Sequence, residues 1–378
     1  MRTFISDKER AVTGRTLRLG ACAAALIAAT LAGGCSNPAG TGSTTPAAYT
    51  TYLYMTDGKN GHVYTYNPAT YAGSSLPLLT TTSGKAAGEI KFYNGIGYVA
   101  MGLNGGGVYY FDPSKSAPIA NQIAGTGNLD AEYFAFYSST QAYVSVVSYP
   151  SGCVYTFNPS NLASSSSVVP ISGTTGYIQE IIVGPDGMVY AADDSGTGTV
   201  LQINPAANTM QKSFNASAAG TTGLTPGIYN GTPGVFVANT GGYSSSYAPQ
   251  PGSIDFINTK TGTISTVVAA STTPYFYPGR LIQLSNGNLV AVGTSFIYLV
   301  ALSGTSATVT PLTDSLPSGA SYNYSIAYSN GLIYVPVNNY SAYASWLHIF
   351  NTNGTQAHSP VSVMTGTDNL ANIAFYQD

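Results

Sequence analysis

Residues 63–67, Val-Tyr-Thr-Tyr-Asn, are the first of seven copies of one short pattern. The pattern is an apolar residue, two variable positions, a second apolar residue and a turn residue. Its turn residues lie 45, 46, 46, 54, 45 and 48 positions apart. Self-similarity at such a period indicates a repeat architecture. The other copies are Val108–Asp112, Val154–Asn158, Val200–Asn204, Ile254–Asn258, Leu299–Ser303 and Leu347–Asn351.

Each copy follows a run of residues that favours β-structure, such as Tyr98–Met101 and Val189–Ala192. Before most of these runs lies another apolar run that ends in Asn-Gly or Asp-Gly, as at Asn94-Gly95 and Asn330-Gly331. Such dipeptides between apolar runs are a strong signal for a β-hairpin. Each unit is therefore predicted to hold about four antiparallel strands. Outside the N-terminal leader the sequence shows no helical periodicity.

A four-stranded unit repeated seven times is typical of a β-propeller, so we predict an all-β, seven-bladed β-propeller over residues 50–378. The two ends of the repeat region support this fold. The first unit starts at Tyr52 with what aligns as a second strand, and residues 372–376 align as an opening strand with nothing after it. We expect this C-terminal strand to complete the first blade and close the ring, because closure removes an exposed sheet edge.

Parts of these repeats resemble known families. Residues 184–193, GPDGMVYAAD, followed by residues 198–205, GTVLQINP, resemble the NHL and gluconolactonase-type propeller repeats. Tyr98–Ala100 and Val235–Asn239 resemble the YVTN repeat of surface and periplasmic seven-bladed propellers. The resemblance covers residues 50 to 378 and implies the architecture. It implies no single activity, because propellers host lactonases, lyases, scaffolds and sugar binders alike.

The N-terminal residues have the order of a secretory signal. Five basic residues precede an apolar stretch from Leu19 to Leu31, and small residues follow as far as Gly34. This order of basic, apolar and small residues predicts a signal peptide over residues 1–34. The apolar stretch is too short to span a bilayer comfortably.

Residues 31–35, LAGGC, resemble the lipobox of bacterial lipoproteins, although Ala32 stands where Leu is usual. The resemblance implies lipidation of Cys35, and residues 35–49 then form a lipidated Cys and a flexible tether. Ser36 resembles the residue that sends lipoproteins to an outer membrane. These features predict a lipid anchor at the bacterial cell envelope, on its periplasmic or surface-exposed side. Ordinary cleavage near Gly34 is the alternative.

Charge is scarce in this chain. Only 7% of the residues are Asp, Glu, Lys or Arg, and the residues after the leader hold seven basic and 13 acidic groups. A nucleic-acid binder that neutralises phosphates needs a basic patch, so this class is excluded. Cys153 would be the single thiol left beside the lipidated one, so no intramolecular disulfide is expected.

Acidic residues recur at the positions that start the innermost strands and face the central channel of a propeller. Aligned carboxylates at a channel mouth could hold Ca²⁺ or raise each other's pKa for acid–base chemistry. The alternative is that they accept hydrogen bonds from backbone amides of neighbouring blades or face water. The candidate ligand and metal residues are Glu89, Glu132 and Glu180. The same alignment places Thr225, Arg280, Tyr324 and Asn372 at this position in the other blades, and Arg280 and Tyr324 are further candidate ligand residues.

Aromatic residues are abundant in the loops of the same face. The Tyr275, Phe276 and Tyr277 loop is the main candidate, because aromatic faces stack on sugar rings while Asn and Ser supply hydrogen bonds. Rigid aromatics with small polar residues also suit a protein partner. Packing between blades is the alternative role. Further aromatics of this rim are Tyr149, Tyr243, Tyr247, Tyr322, Tyr340 and Tyr343.

These observations favour a lipid-anchored propeller that acts as a binding or scaffold module for a carbohydrate or protein partner. The alternative is a metal-dependent, lactonase-like hydrolase that uses the acidic channel mouth with Ca²⁺ as Lewis acid. Catalysis by a central His has no candidate, because His62, His348 and His358 do not fall in innermost-strand positions. A third reading is a surface protein without a small ligand.

Overall fold

The computed structural model describes residues 52–74, 77–81, 85–102, 105–147, 153–246, 248–271, 276–312, 316–365 and 369–376. The predicted signal peptide, Cys35 and the tether lie outside these residues. Within the described ranges no helix is both long enough and apolar enough to cross a membrane.

Seven antiparallel sheets, one for each repeat, confirm the predicted seven-bladed β-propeller. The strands of blades 1 and 2 are β1 (Tyr52–Asp57), β2 (His62–Asn67), β3 (Ala72–Gly73), β4 (Leu79–Thr80), β5 (Ala86–Tyr93), β6 (Ile96–Gly102), β7 (Gly107–Phe111) and β8 (Asn121–Gln122). Those of blades 3 and 4 are β9 (Ala131–Ser138), β10 (Gln141–Val146), β11 (Cys153–Phe157), β12 (Val169–Pro170), β13 (Ile178–Val183), β14 (Val189–Asp193), β15 (Thr199–Asn204) and β16 (Thr209–Asn215).

The remaining three blades follow the same order from the innermost to the outermost strand. The strands of blades 5 and 6 are β17 (Thr221–Tyr229), β18 (Thr232–Asn239), β19 (Ser253–Asn258), β20 (Thr263–Val268), β21 (Arg280–Gln283), β22 (Leu289–Val292), β23 (Ile297–Ser303) and β24 (Ser306–Leu312). Those of blade 7 and the C-terminus are β25 (Ser321–Tyr322), β26 (Ala327–Ser329), β27 (Leu332–Asn339), β28 (Ala344–Asn351), β29 (Gln356–Thr365) and β30 (Leu370–Tyr376). A short 3-10 turn occupies Ser165–Ser167.

The ring closes between the two ends of the repeat region. Strand β30 pairs antiparallel with β1, with Leu53 opposite Phe375 and Met55 opposite Ile373. The C-terminal strand is thus the innermost strand of blade 1, as the sequence predicted. Because β1 pairs with β2 on one side and with β30 on the other, it leaves no open sheet edge.

Blades pack face to face, which explains why their strands are apolar on both sides. Successive side chains of a strand point to opposite faces. In β14, Val189 and Ala191 pack toward blade 3, whereas Tyr190 and Ala192 pack toward blade 5. All four are 0% exposed. Burying each large apolar side chain contributes about 1.5–3 kcal/mol.

The predicted hairpin turns are present between the innermost and second strands. Asn94 and Gly95 have φ of 48° and 75°, and Asn330 and Gly331 have φ of 51° and 79°. Two successive residues with positive φ make a type I′ turn, whose twist matches that of the flanking strands. Asn tolerates this region better than other residues with a Cβ.

Candidate binding site

The central channel holds two of the predicted acidic residues as buried ion pairs. Glu89, on β5 of blade 2, is 0% exposed. Its Oε1 lies 3.1 Å from Lys91 Nζ, and its Oε2 accepts a hydrogen bond from the Phe134 N–H of blade 3. Lys91 Nζ also donates to the Phe134 carbonyl oxygen at 2.6 Å. Glu89 and Lys91 therefore tie blade 2 to blade 3.

Glu180, on β13 of blade 4, has a similar environment. Its Oε2 accepts a hydrogen bond from the Leu224 N–H of blade 5 at 2.7 Å and lies 3.3 Å from Arg280 Nη1. Arg280 belongs to blade 6, yet its Nη2 donates to the Gln179 carbonyl oxygen of blade 4 at 2.7 Å. Its guanidinium also lies 4.7 Å from the ring centroid of Tyr133 in blade 3. Arg280 therefore reaches across the channel to two non-adjacent blades.

Other innermost strands use neutral side chains for the same contact between blades. Asn372 Oδ1 of blade 1 accepts a hydrogen bond from the Ile90 N–H of blade 2, and Ser325 Oγ of blade 7 accepts one from the Ile373 N–H of blade 1. Glu89 and Glu180 occupy the corresponding place in their blades. The hydrogen bonds to neighbouring blades, given above as the alternative role of these carboxylates, are thus present.

Burial raises the pKa of both Glu89 and Glu180, and the charges of Lys91 and Arg280 oppose that rise. Each carboxylate already has a backbone amide and a cationic side chain as partners, whereas Ca²⁺ takes six to eight oxygen ligands. Among the described residues, no group of three or more His, Cys, Asp or Glu is placed to hold a metal ion. The predicted Ca²⁺ site therefore stays an untested prediction.

Glu132, the third predicted ligand, is 8% exposed and points toward blade 2. A Cβ built on Gly102 would lie 2.5 Å from Glu132 Oε1, so the absence of a side chain at Gly102 makes room for this carboxylate. The three Glu residues are thus buried, and they do not line an open channel mouth. Their role as ligand or metal residues stays a prediction.

An aromatic pocket opens instead on the face formed by the loops between second and third strands. We call it the rim pocket; its cavity measures about 130 Å³. Blade 5 supplies two of its residues through the β18–β19 loop, and blade 6 supplies the others. The rim pocket is lined by Tyr243, Pro249, Tyr277, Thr294, Ser295, Phe296 and Tyr298.

Local backbone geometry places the two exposed rings of the rim pocket. Gly241 and Gly242 precede Tyr243 with φ of 89° and 67°, and a Cβ on Gly241 would collide with the Gln250 carbonyl oxygen. In blade 6, the Gly293 N–H donates to the Phe296 carbonyl oxygen at 2.9 Å and forms a tight turn. Tyr243 is 47% exposed and Phe296 is 42% exposed, so both rings can contact a ligand.

A chain of hydroxyl groups leads from the protein interior to this pocket. The hydroxyls of Tyr324, Tyr277 and Tyr243 share hydrogen bonds, and Thr240 and Thr294 contribute further ones. The Tyr277 and Tyr324 rings stack with centroids 6.4 Å apart. Burial, followed by the Tyr243 hydrogen bond, raises the pKa of Tyr277, and burial likewise raises that of Tyr324. Both phenols therefore stay neutral throughout the physiological pH range.

The predicted aromatic loop is only partly at the surface. Tyr275 lies outside the described residues. Phe276 is 1% exposed and packs edge to face on Tyr298 with centroids 4.9 Å apart, so it is a core residue and not a ligand contact. Tyr277 lines the rim pocket, and Tyr324 lies buried behind it.

Sequence analysis missed two residues that matter in these sites. Lys91 lies two positions after Glu89 on the same strand, and the alternation of a β-strand puts both side chains on one face. Phe296 lies in the loop between the second and third strands of blade 6, which corresponds to the loop of Tyr243 in blade 5. An alignment of the strands of the seven blades could have identified both residues.

The residues that line the rim pocket offer rings and hydroxyls but no carboxylate, His, Cys, Lys or Arg. Acid–base catalysis near neutral pH needs a group whose pKa lies near the working pH. The raised pKa of Tyr277 moves this phenol away from that range. The arrangement suits recognition of a ligand with apolar faces and polar edges.

Comparison with known proteins supports the fold alone. No protein-family model and no curated protein matches the sequence. A quinoprotein alcohol dehydrogenase-like protein from Bacteroides thetaiotaomicron is 14% identical, with a TM-score of 0.62 over 86% of this chain and 78% of that chain. A functionally unknown protein from Desulfotomaculum acetoxidans is 12% identical, with a TM-score of 0.60 over 86% and 98%.

A third solved structure, the Pan2 WD40 domain of Neurospora crassa, is 12% identical, with a TM-score of 0.56 over 77% of this chain and 83% of that chain. This match is a WD40 domain, whereas the Bacteroides thetaiotaomicron match is a quinoprotein alcohol dehydrogenase-like protein. At these identities the three similarities establish a β-propeller and carry no activity, because one fold hosts many functions.

Proposed function

We propose that this protein is a carbohydrate-binding module that holds a neutral sugar ring in the rim pocket. The observation that carries the proposal is the composition of that pocket: exposed Tyr243 and Phe296 rings beside the hydroxyls of Tyr277 and Thr294. A sugar ring has an apolar face that stacks on an aromatic ring, and its hydroxyls need hydrogen-bond partners at the edge.

The size and charge of the rim pocket agree with this ligand. A cavity of about 150 Å³ holds a benzene ring, so the 130 Å³ of the rim pocket suit about one ring. Residues 240–252 and 293–297, which contain both loops, include no charged side chain. A neutral ligand therefore leaves no charge unpaired on either side.

A binding test with matched variants checks the proposal. The full-length protein is applied to an array of neutral and acidic glycans, together with Tyr243→Ala, Phe296→Ala and the control Tyr137→Ala. Tyr137 is 41% exposed, similar to Phe296, but it lies near the end of β9 on the opposite face. We expect neutral glycans to bind the wild type and Tyr137→Ala and to be lost from the two rim variants. Binding of acidic glycans only, binding to no glycan, or equal binding by the rim variants would overturn the proposal.

The hydrolase alternative from the sequence stays a prediction and has its own test. Lactone hydrolysis is measured with and without Ca²⁺ on the wild type and on Glu180→Gln. Turnover that the substitution abolishes would favour the hydrolase, because a binding module predicts no turnover in either protein. The pairing of Glu180 with Leu224 and Arg280 argues against a free catalytic carboxylate.

We also propose a lipid anchor at Cys35 that places the propeller at the bacterial cell envelope. Support comes from the order of basic, apolar and small residues before Cys35. Mass spectrometry of the mature N-terminus tests this: we expect a diacylated or triacylated Cys35 and release of the protein from membranes by Cys35→Ser. An unmodified N-terminus near Gly34 would contradict it.

A further inference from the structure

Four exposed aromatic residues lie on the loops between second and third strands of three consecutive blades. We call them the aromatic arc. Tyr243 belongs to blade 5, Phe296 to blade 6, and Tyr340 and Tyr343 to blade 7. They are 47%, 42%, 42% and 45% exposed. The other exposed large apolar side chains of the described residues lie elsewhere, in strands or in other connections: Tyr52, Tyr71, Ile119, Tyr137, Val169 and Ile228.

A hydrogen bond connects blade 6 with blade 7 beside the aromatic arc. The Tyr322 N–H of blade 7 donates to the carbonyl oxygen of Thr294, a residue that lines the rim pocket, at 3.0 Å. Tyr322 pairs with Val337 on β27, two residues before the loop that carries Tyr340. The rim pocket is therefore joined to blade 7 through β25, which pairs with the strand that leads into the Tyr340 loop.

The rings of blade 7 are held in place by their own loop. Asn338 Nδ2 donates to the Tyr340 hydroxyl at 3.3 Å, and the Ala342 N–H donates to Asn339 Oδ1 at 2.9 Å. Tyr343 has φ of 50°, a left-handed conformation that is uncommon for an aromatic residue. Lys59 Nζ of blade 1 lies 4.9 Å from the Tyr343 ring centroid and marks the end of the arc.

We infer that the aromatic arc is a row of subsites for an extended neutral glycan whose end ring occupies the rim pocket. This inference rests on the proposed function and specifies its ligand as an oligosaccharide or polysaccharide. The rim pocket holds about one ring, so it uses only Tyr243 and Phe296 of the arc. Exposed aromatic rings grouped on one face of a protein are typical of an interaction site, and the arc places four of them on the same set of loops.

Charge favours a glycan over other extended ligands. The loops that carry the arc, residues 240–252, 293–297 and 339–343, contain no charged residue. Lys59 of blade 1 lies over the Tyr343 ring at the end of the arc. An acidic polymer would need several cations, as phosphate recognition does. A neutral chain of sugar rings needs stacking faces and hydroxyl partners, which Tyr and Asn provide.

A chain-length series tests the inference on the full-length protein. The probes are neutral glucose, galactose, mannose and N-acetylglucosamine oligomers of one to six units, and calorimetry measures their affinities. We expect affinity to rise at least tenfold between one unit and four units. The Tyr340→Ala/Tyr343→Ala variant should lose that gain while it binds a single unit like the wild type, and Tyr137→Ala should keep it.

The outcomes separate this inference from the proposed function. Equal affinity for one unit and six units would overturn the row of subsites and leave the rim pocket as a site for one ring. A gain with length that persists in Tyr340→Ala/Tyr343→Ala would also overturn it, because the added rings would then contact another surface. Binding of no neutral oligomer would overturn both. Circular dichroism of each variant confirms that it is folded.

Discussion

The central channel and the rim differ in how their polar groups are used. In the channel, Glu89, Lys91, Glu180 and Arg280 contact each other or the backbone of neighbouring blades. All three Glu residues and the one Arg of residues 35–378 lie on innermost strands. In the rim pocket, by contrast, hydroxyls and rings line the cavity and none of the lining residues carries a charge. The buried charges of the channel hold blades together, whereas the neutral aromatic rings of the rim pocket are available to a ligand.

The largest expected effect is on stability when the channel cation is removed. Arg280→Met leaves Glu180 without its cation and removes the contacts with Gln179 and Tyr133. Breaking a buried ion pair in this way costs about 3–5 kcal/mol of unfolding free energy. Urea denaturation measures the loss. A change below about 1 kcal/mol would mean that Arg280 does not hold the ring together.

The second largest expected effect is a loss of glycan binding at the rim pocket. Tyr243→Ala/Phe296→Ala should weaken glycan binding at least tenfold, which corresponds to about 1.4 kcal/mol. Both rings are more than 40% exposed, so the unfolding free energy should fall by no more than about 1 kcal/mol, including the loss of the Tyr243–Tyr277 hydrogen bond. Calorimetry and urea denaturation on the same samples check both numbers. A large loss of stability would place these rings in the core and contradict their assignment to a ligand surface.

Tyr277→Phe should have intermediate effects on both properties. It removes one hydroxyl from the chain that links Tyr324 to Tyr243 and leaves a buried partner unsatisfied. We expect a loss of about 1–3 kcal/mol in unfolding free energy and a few-fold loss of affinity. Tyr298→Phe compares the loss of another hydroxyl in the same pocket, one that accepts a hydrogen bond from the Tyr277 N–H at 3.4 Å. Equal effects of both substitutions would argue against a special role of the Tyr277 hydroxyl.

The smallest effect is a dependence on pH. Because burial raises the pKa of Glu89 and Glu180, the folded protein binds more protons than the unfolded chain between the ordinary Glu pKa and the raised one. The stability from these groups is complete below the ordinary Glu pKa and is lost as pH rises through the raised value. The unfolding free energy of Glu89→Gln/Glu180→Gln, relative to that of the wild type, should therefore rise between pH 4 and pH 8. Urea denaturation at both pH values measures this difference, and a relative loss toward pH 8 would contradict the assigned direction.

Local signals made the fold and part of the sites predictable from sequence. The seven repeats, the Asn94-Gly95 turn and the closing strand at residues 370–376 depend on patterns within a single blade or on the two chain ends. Glu89 and Glu180 could be aligned to the innermost strands for the same reason. The partner of Glu180 could not be predicted, because Arg280 lies two blades away and contacts Gln179, 101 positions apart. The burial of Phe276 depends on packing against Tyr298, which also lies outside the local pattern.

The most direct test of the account is glycan affinity in Glu89→Gln/Glu180→Gln, measured by calorimetry beside the wild type. These substitutions remove both channel carboxylates but keep side chains of the same shape that can accept the Phe134 and Leu224 hydrogen bonds. The account predicts an unchanged dissociation constant, because the ligand contacts the rim and not the channel. A tenfold or greater loss of affinity in a protein that circular dichroism shows to be folded would contradict it.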